Sequence, residues 1–217
     1  MKNVLIIGMG RFGRHLAKKM SELGNEVMIV DGDPDIIDQV ASDFADAHIG
    51  DCTNEGVLRS LGVNNFDICF VTIGEDFQSS LVITSLLKKL GAKFVVAKAR
   101  YDIQAEILTK IGADEIVYPE REIAEKLAIR YNAENIFDFI KLTSEYSIYE
   151  IPILSDWIGQ TLRMLDIRKQ YGINIIAIKK KDNTLLPTPG ADYEFQRDDH
   201  IVVIGKSSDV FKLSAMA

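Results

Sequence analysis

The six residues Gly8-Met9-Gly10-Arg11-Phe12-Gly13 follow the chain's first apolar run, Val4 to Ile7, and constrain its fold more than any other stretch. A strand that runs into a tight glycine turn opening a helix, here expected over His15 to Leu23, is the front half of a nucleotide-binding βαβ unit. Gly8 permits the turn, Gly10 lets the backbone come close to a pyrophosphate, and Gly13 lets the helix pack on the strand. The free N–H groups at the helix start then face the phosphates. A second strand, Glu26 to Val30, ends in Asp31. Its carboxylate is placed to accept hydrogen bonds from ribose hydroxyls, and its charge repels a 2′-phosphate. The pocket is therefore expected to take NAD, ATP or ADP and to reject NADP. The alternative is that the glycines only end a strand and Asp31 only caps a turn; against it stands the whole unit in register.

Arg11 lies inside this loop, where a guanidinium binds phosphate oxygens in bidentate fashion. The bridging pyrophosphate of a dinucleotide is already served by backbone amides, whereas a terminal γ-phosphate asks for a cation. Arg11 thus leans the reading towards ATP, the alternative being a solvated arginine on an early helical turn.

At 217 residues and 24.3 kDa the chain is long for one small domain and short for a two-domain dehydrogenase. One full-sized domain and one small one are expected. A net charge of −7 and a pI near 5.1 argue against non-specific binding to nucleic acid or to anionic lipid. No apolar run reaches the roughly 18 residues of a membrane span, and no signal-peptide pattern precedes the first strand, so a cytosolic protein is expected. Cys52 and Cys69 lie far apart without zinc-type spacing, and Cys69 reads as a small buried hydrophobe.

After the first unit the pattern repeats. Helical spacing at Asp35 to Phe44, a short strand at Ala47 to Ile49 and a helix at Asn54 to Leu61 lead to a strongly apolar strand, Ile68 to Ile73. Its continuous apolar character marks a central place in a parallel sheet covered on both faces. Helix Phe77 to Leu90, strand Phe94 to Ala97, helix Ile103 to Ile111 and strand Glu115 to Val117 close the series. This alternation predicts a Rossmann-like, doubly wound α/β sheet over residues 1–119.

Ligands in such sheets sit at the carboxyl ends of the strands, near the switch point. Those ends gather Gly8 to Gly13, Asp31-Gly32-Asp33, Asp51-Cys52, Ile73-Gly74-Glu75 and Lys98-Ala99-Arg100 into one crevice. Asp33 either assists at the ribose or is a turn residue before Pro34. Asp51 and Cys52 are placed to flank an adenine, with the alternative that Asp51 caps the helix beginning near Asn54. Gly74 lets the chain pass close to the nucleotide, and Lys98 and Arg100 either neutralise phosphates or are ordinary surface cations.

A helix at Arg121 to Tyr131, with Ile123, Leu127 and Ala128 on one face, forms a crossover within residues 120–134. Over residues 135–217 the rhythm changes to strands at Phe137 to Leu142, Ser147 to Ile153, Ile173 to Lys179 and His200 to Gly205. Short helices at Gln160 to Asp166 and Ser208 to Met216 complete a small α+β domain.

GMGRFG, the Asp31 strand end, IGADEIVYPEREIA across Ile111 to Ala124, and LDIRKQYGINIIAIK in the C-terminal part together resemble one family. It is that of the cytosolic regulatory subunits of Ktr-type potassium transporters, which carry a domain regulating K⁺ conductance (RCK), TrkA-N followed by TrkA-C. The resemblance spans essentially the whole chain. It implies a non-enzymatic switch: a homo-oligomer of dimers, usually an octameric ring, peripheral on the cytoplasmic face of the membrane beneath a potassium-translocating subunit. ATP activates and ADP inactivates such assemblies. The resemblance further implies Arg11 on the γ-phosphate, Asp31 as the acid after the second strand, and Gln104 near the nucleotide. Glu120 would lie near a neighbouring subunit's phosphates, with a divalent or sodium ion beside it. Read from the residues alone, Glu120 is an acid stabilised at a helix N-terminus. Some Ktr subunits bind cyclic di-AMP at the dimer interface of their C-terminal domain, through an arginine, an asparagine six positions on and the apolar residue after it. Arg168, Asn174 and Ile175 fit that spacing, with a turn asparagine and a solvated arginine as the alternative.

Two other readings stay open. An NAD(H)-dependent oxidoreductase, or an NAD(H)-binding Trk-type regulator, would use the same crevice, but an oxidoreductase needs a proton donor at the nicotinamide, for which His15, His48 and His200 are poorly placed. An NADH-sensing transcription repressor needs a basic face and a winged helix, neither of which the sequence offers.

Overall fold

Val4 to Ile7 of strand β1 (Asn3–Ile7) are almost wholly shielded from solvent, as a strand covered on both faces requires. The computed structural model describes residues 1–44, 46–132 and 135–216, so Ala133 and Glu134 of the expected crossover segment lie outside the described residues. It divides into two compact units, Met1–Glu122 and Ile123–Ala217.

In the first unit β1 is joined by β2 (Glu26–Asp31), β3 (Asp46–Ile49), β4 (Ile68–Val71), β5 (Val95–Lys98) and β6 (Glu115–Val117). All pairings are parallel, in the order β3-β2-β1-β4-β5-β6. Helices α1 (Arg11–Glu22), α2 (Pro34–Val40), α3 (Glu55–Leu61), α4 (Phe77–Lys89) and α5 (Asp102–Lys110) form the crossovers. The result is the expected doubly wound sheet, with its order reversing between β1 and β4. Alternate residues of β1 feed two cores: Val4 and Ile6 pack with Ala17, Ile29 and Ile37, while Leu5 and Ile7 pack with Val71, Ile83 and Val95.

Helix α1 begins at Arg11 instead of His15, because Gly10 already serves as its extended N-cap (φ −65°, ψ −176°) and Arg14 N–H donates to Gly10 O at 3.0 Å. β4 ends at Val71, short of Ile73, since the chain turns off at Thr72 to hold the end of β1.

Helix α6 (Pro119–Asn132) carries Ile123, Leu127 and Tyr131 exposed at helical spacing. The second unit is otherwise an antiparallel sheet of β7 (Asp138–Lys141), β8 (Tyr146–Pro152), β9 (Asn174–Lys179), β10 (Leu185–Pro187) and β11 (His200–Lys206), ordered β10-β9-β11-β8-β7. Tyr149 and Ile151 of β8 and Ile201 and Val203 of β11 point into a core closed by Trp157, Phe195 and helix α9 (Ser207–Ser214). Two elements depart from the expected pattern. The helix expected at Gln160 to Asp166 is α7 (Leu162–Leu165), ended where Asp166 takes a left-handed conformation (φ 40°), and an unexpected second helix, α8 (Ile167–Tyr171), follows it. After the Lys181-Asp182-Asn183 turn the chain returns as the short strand β10, whose Pro187 is tolerated on a sheet edge.

Candidate functional site

The glycine loop is strapped to both neighbouring strands. On the β2 side Gly8 N–H donates to Val30 O at 2.8 Å, and Met9 N–H donates to Asp31 Oδ2 at 2.6 Å. On the β4 side the Thr72 hydroxyl lies 2.5 Å from Gly8 O and 3.0 Å from Ile7 O, its buried oxygen forming the floor of the loop. Gly8 has φ +99°, a conformation that disfavours any side chain, and a Cβ there would also press on Ile73. At Gly13 a Cβ would stand 2.0 Å from Gly8 O, so helix and strand touch backbone to backbone. Gly10 differs: nothing lies within 4 Å of where its Cβ would be. That open position is what a closely approaching phosphate needs.

No side chain caps the first turn of α1, and no acid lies in it. Arg11 occupies the first helical position, exposed, with no hydrogen bond or ion pair among the described residues. A cation at the positive end of a helix is locally unfavourable, and an anion bound there reverses the sign.

Asp31 is drawn into the loop itself, since its second oxygen also accepts from Asp33 N–H at 3.0 Å. Asp33 is the N-cap of α2, accepting from Asp35 N–H, so its turn role is realised; Gly32 beside it is exposed. The helix after β3 is capped by Asn54 and not by Asp51. Asp51 instead accepts from the hydroxyl and N–H of Thr53, bonds that hold its carboxyl below the usual range, and it stays exposed at the rim. Cys52 is a correction: it is 3% exposed in the core with Val30 and Leu58, and burial pushes its thiol up to about 12, so the side chain does not flank a ligand.

At the far ends of β4 and β5, Ile73 packs on the core, Glu75 is exposed and Ala99 is buried. Lys98 is no ordinary surface cation. Its side chain is only 10% exposed, its ammonium stands 5.7 Å above the Phe12 ring, and it donates to Glu120 Oε1 at 2.6 Å. That hydrogen bond lowers the pKa of Glu120, which remains two-thirds exposed. A Cβ at Gly74 would meet Lys98 Nζ at 3.2 Å, so this glycine makes room for the lysine. Arg100 reaches Gly74 O at 3.4 Å, and its N–H is taken by Gln104 Oε1 at 2.9 Å. Thr72 and Phe12 were missed in the sequence, where one is a strand threonine and the other fills a position of the glycine motif that the motif leaves unspecified.

In the second unit the Arg168 guanidinium donates twice to Asn174 Oδ1, at 3.0 and 2.7 Å, with Ile175 half-buried beside them in sequence. Arg168 and Asn174 therefore meet in one chain, whereas Ile175, the next residue of β9, packs against the core.

Residues 4–119 match the TrkA-N domain family and residues 147–216 the TrkA-C domain family. The chain is 42% identical over 209 residues to Ktr system potassium uptake protein C of Bacillus subtilis (strain 168), covering 96% of this chain and 94% of that protein. To Ktr system potassium uptake protein A of the same organism it is 34% identical with the same coverage, and to protein A of Vibrio alginolyticus 30%. In fold it is similar to the crystal structure of the GsuK RCK domain (TM-score 0.69, 19% identity), covering 99% of this chain and 47% of that one. The GsuK channel bound to NAD (TM-score 0.68, 20% identity) is matched over 99% of this chain and 38% of that one.

Proposed function

The chain belongs to the family built from a TrkA-N and a TrkA-C domain, that of the Ktr potassium-uptake proteins, and on that premise we propose that it is the nucleotide-sensing regulatory subunit of a potassium transporter. An adenine nucleotide sits at the β1/β4 switch point, its phosphates over Gly10 and the first turn of α1 and its ribose at Asp31. Asp51 stands at the rim, with Lys98 and Arg100 on the phosphate side. NAD binding by a channel of the same fold supports an adenine nucleotide here.

The observation that carries the proposal is Arg11, exposed and without a partner among the described residues, at the opening of that turn. ATP and ADP share adenine, ribose and two phosphates, so only contacts to the third can favour one conformation of an assembly over another. Calorimetry is expected to show ATP bound roughly tenfold less tightly by Arg11→Ala, about 1.4 kcal/mol, with ADP affinity unchanged. An unchanged ATP/ADP ratio would remove Arg11 from this role.

Activation by ATP and inactivation by ADP then pass through a homo-oligomeric ring to a membrane potassium-translocating subunit. The exposed Ile123, Leu127 and Tyr131 stripe of α6 supports self-association. Among the described residues no helix is long and apolar enough to cross a membrane; the likeness to the Ktr uptake proteins supports a peripheral place on the cytoplasmic face. A divalent or sodium ion at Glu120 must compete with Lys98 and draw further ligands from outside this chain, since no group of three metal-ligating side chains occurs among the described residues.

Cyclic di-AMP at Arg168, Asn174 and Ile175 is the second ligand of this reading, supported by the Arg168–Asn174 pair, which fixes a phosphate-binding cation on a surface amide. Cyclic di-AMP is expected to raise the melting temperature of the wild type and not of Arg168→Ala. Equal shifts in both would place that ligand elsewhere.

A further inference from the structure

The outward face of the second unit's sheet holds a cavity of about 650 Å³, within the roughly 300–1,000 Å³ of small-molecule sites. Five cations line it: Lys126 and Arg130 from α6, and Lys179, Lys180 and Lys181 from the end of β9. Three carboxylates answer them, in the pairs Lys126–Asp138 at 3.1 Å, Lys179–Glu150 at 2.9 Å and Lys181–Asp198 at 2.9 Å. Arg130 and Lys180 are left over. Each lies near an aromatic ring, Tyr131 and Tyr193 respectively, and neither has an acid within ion-pair distance among the described residues. A chain with a net charge of −7 thus gathers in one concavity two cations that hold no ion pair among the described residues, Arg130 acting on Asp138 and Lys180 on Asp182 only at longer range. Low-dielectric walls focus such a field on an entering anion.

The cavity is also braced. His200 stands opposite Lys179 across the β9/β11 ladder, and Glu150 accepts from Lys179 and lies 3.0 Å from His200 Nδ1. Burial pushes the Glu150 carboxyl up, but the hydrogen bonds from His200 and Lys179 outweigh it and hold the acid ionised. The His200 ring stacks on Phe137 at 4.3 Å, giving the cavity an aromatic wall. A divalent cation does not suit it, because every carboxylate is already held by a lysine and the surplus charge is positive.

We propose that this cavity binds a phosphate monoester, with Arg130 and Lys180 on the phosphoryl group and the organic part against the Phe137–His200 stack. A monoester carries about −1.5 to −2 charges at pH 7, which suits two cations that hold no ion pair. The ester comes either from a soluble phosphorylated metabolite or from a phospholipid whose headgroup is a bare phosphate.

Both sources are testable on the full chain. Phenyl phosphate is titrated by calorimetry, and vesicles of phosphatidylcholine with and without phosphatidic acid are floated with the protein. Wild type is expected to bind at least one of the two probes: phenyl phosphate alone identifies a soluble ligand, and phosphatidic acid vesicles a lipid. R130Q/K180Q is expected to lose at least tenfold in affinity, R130K/K180R to retain binding, and K110Q, at an exposed lysine of the other unit, to bind as wild type. Failure of wild type to bind either probe overturns the proposal. So does undiminished binding by R130Q/K180Q with an unchanged melting temperature.

Discussion

Gly13→Ala is expected to cost the first unit more than about 4 kcal/mol, beyond the 0.5–3 kcal/mol typical of point substitutions, and to abolish nucleotide binding with it. The added Cβ would lie 2.0 Å from Gly8 O and 2.7 Å from Thr72 Oγ1. Relief would require one of the two backbones to move, and neither is free. Gly8 is tied to Val30, Met9 to Asp31, and the Thr72 hydroxyl to the carbonyls of Ile7 and Gly8. The strain therefore spreads across the three central elements of the sheet. Gly10→Ala separates this effect from ligand binding, because that Cβ meets nothing within 4 Å and the residue's φ of −65° suits alanine. Its stability is expected to stay within about 0.5 kcal/mol of wild type while nucleotide affinity falls. Urea unfolding followed by circular dichroism, with calorimetric titration of ATP, reads both variants. Wild-type stability in Gly13→Ala would mean that α1 and β1 do not meet backbone to backbone.

The loop was legible because its glycines are local: turn, approach and close packing fall within six consecutive residues, and the apolar alternation around them fixes strand and helix. What escaped the sequence are contacts between residues distant along it. Met9 meets Asp31 across 22 positions, Thr72 reaches Gly8 across 64, and Lys98 finds Glu120 across 22. Each joins the ends of different parallel strands, so its existence depends on the strand order, which composition and periodicity leave open. Cys52 illustrates the opposite error. Its neighbour Asp51 does reach the rim, but Cys52 sits in the turn that follows β3, and the thiol lies in the core with Val30 and Leu58. Helix α8 was hidden for a different reason: the turn that separates it from α7 rests on Asp166, and a non-glycine residue in the left-handed region has no marker in the sequence.

Asp31 is where structural and ligand roles meet, and its substitutions pull them apart. Asp31→Ala is expected to lower stability by about 2–3 kcal/mol, because the N–H of Met9, a residue wholly shielded from solvent, loses the one acceptor it has among the described residues and Asp33 N–H loses another. Asp31→Asn keeps one carbonyl oxygen, which can serve Met9, while its amino group can serve neither N–H. Its cost is expected near 1 kcal/mol. For the ligand the order differs. On the proposed placement of the ribose at Asp31, both substitutions remove the negative charge there, so both are expected to weaken ADP binding and to narrow the preference for NAD over its 2′-phosphorylated counterpart. Calorimetric titration of the folded variants measures that preference independently of stability. An Asp31→Asn variant that kept the full discrimination would confine Asp31 to bracing the glycine loop, and the choice against a 2′-phosphate would then fall to the shape of the crevice. Wild-type urea resistance in Asp31→Ala would show instead that the Met9 N–H finds another acceptor, leaving the carboxylate to the nucleotide alone.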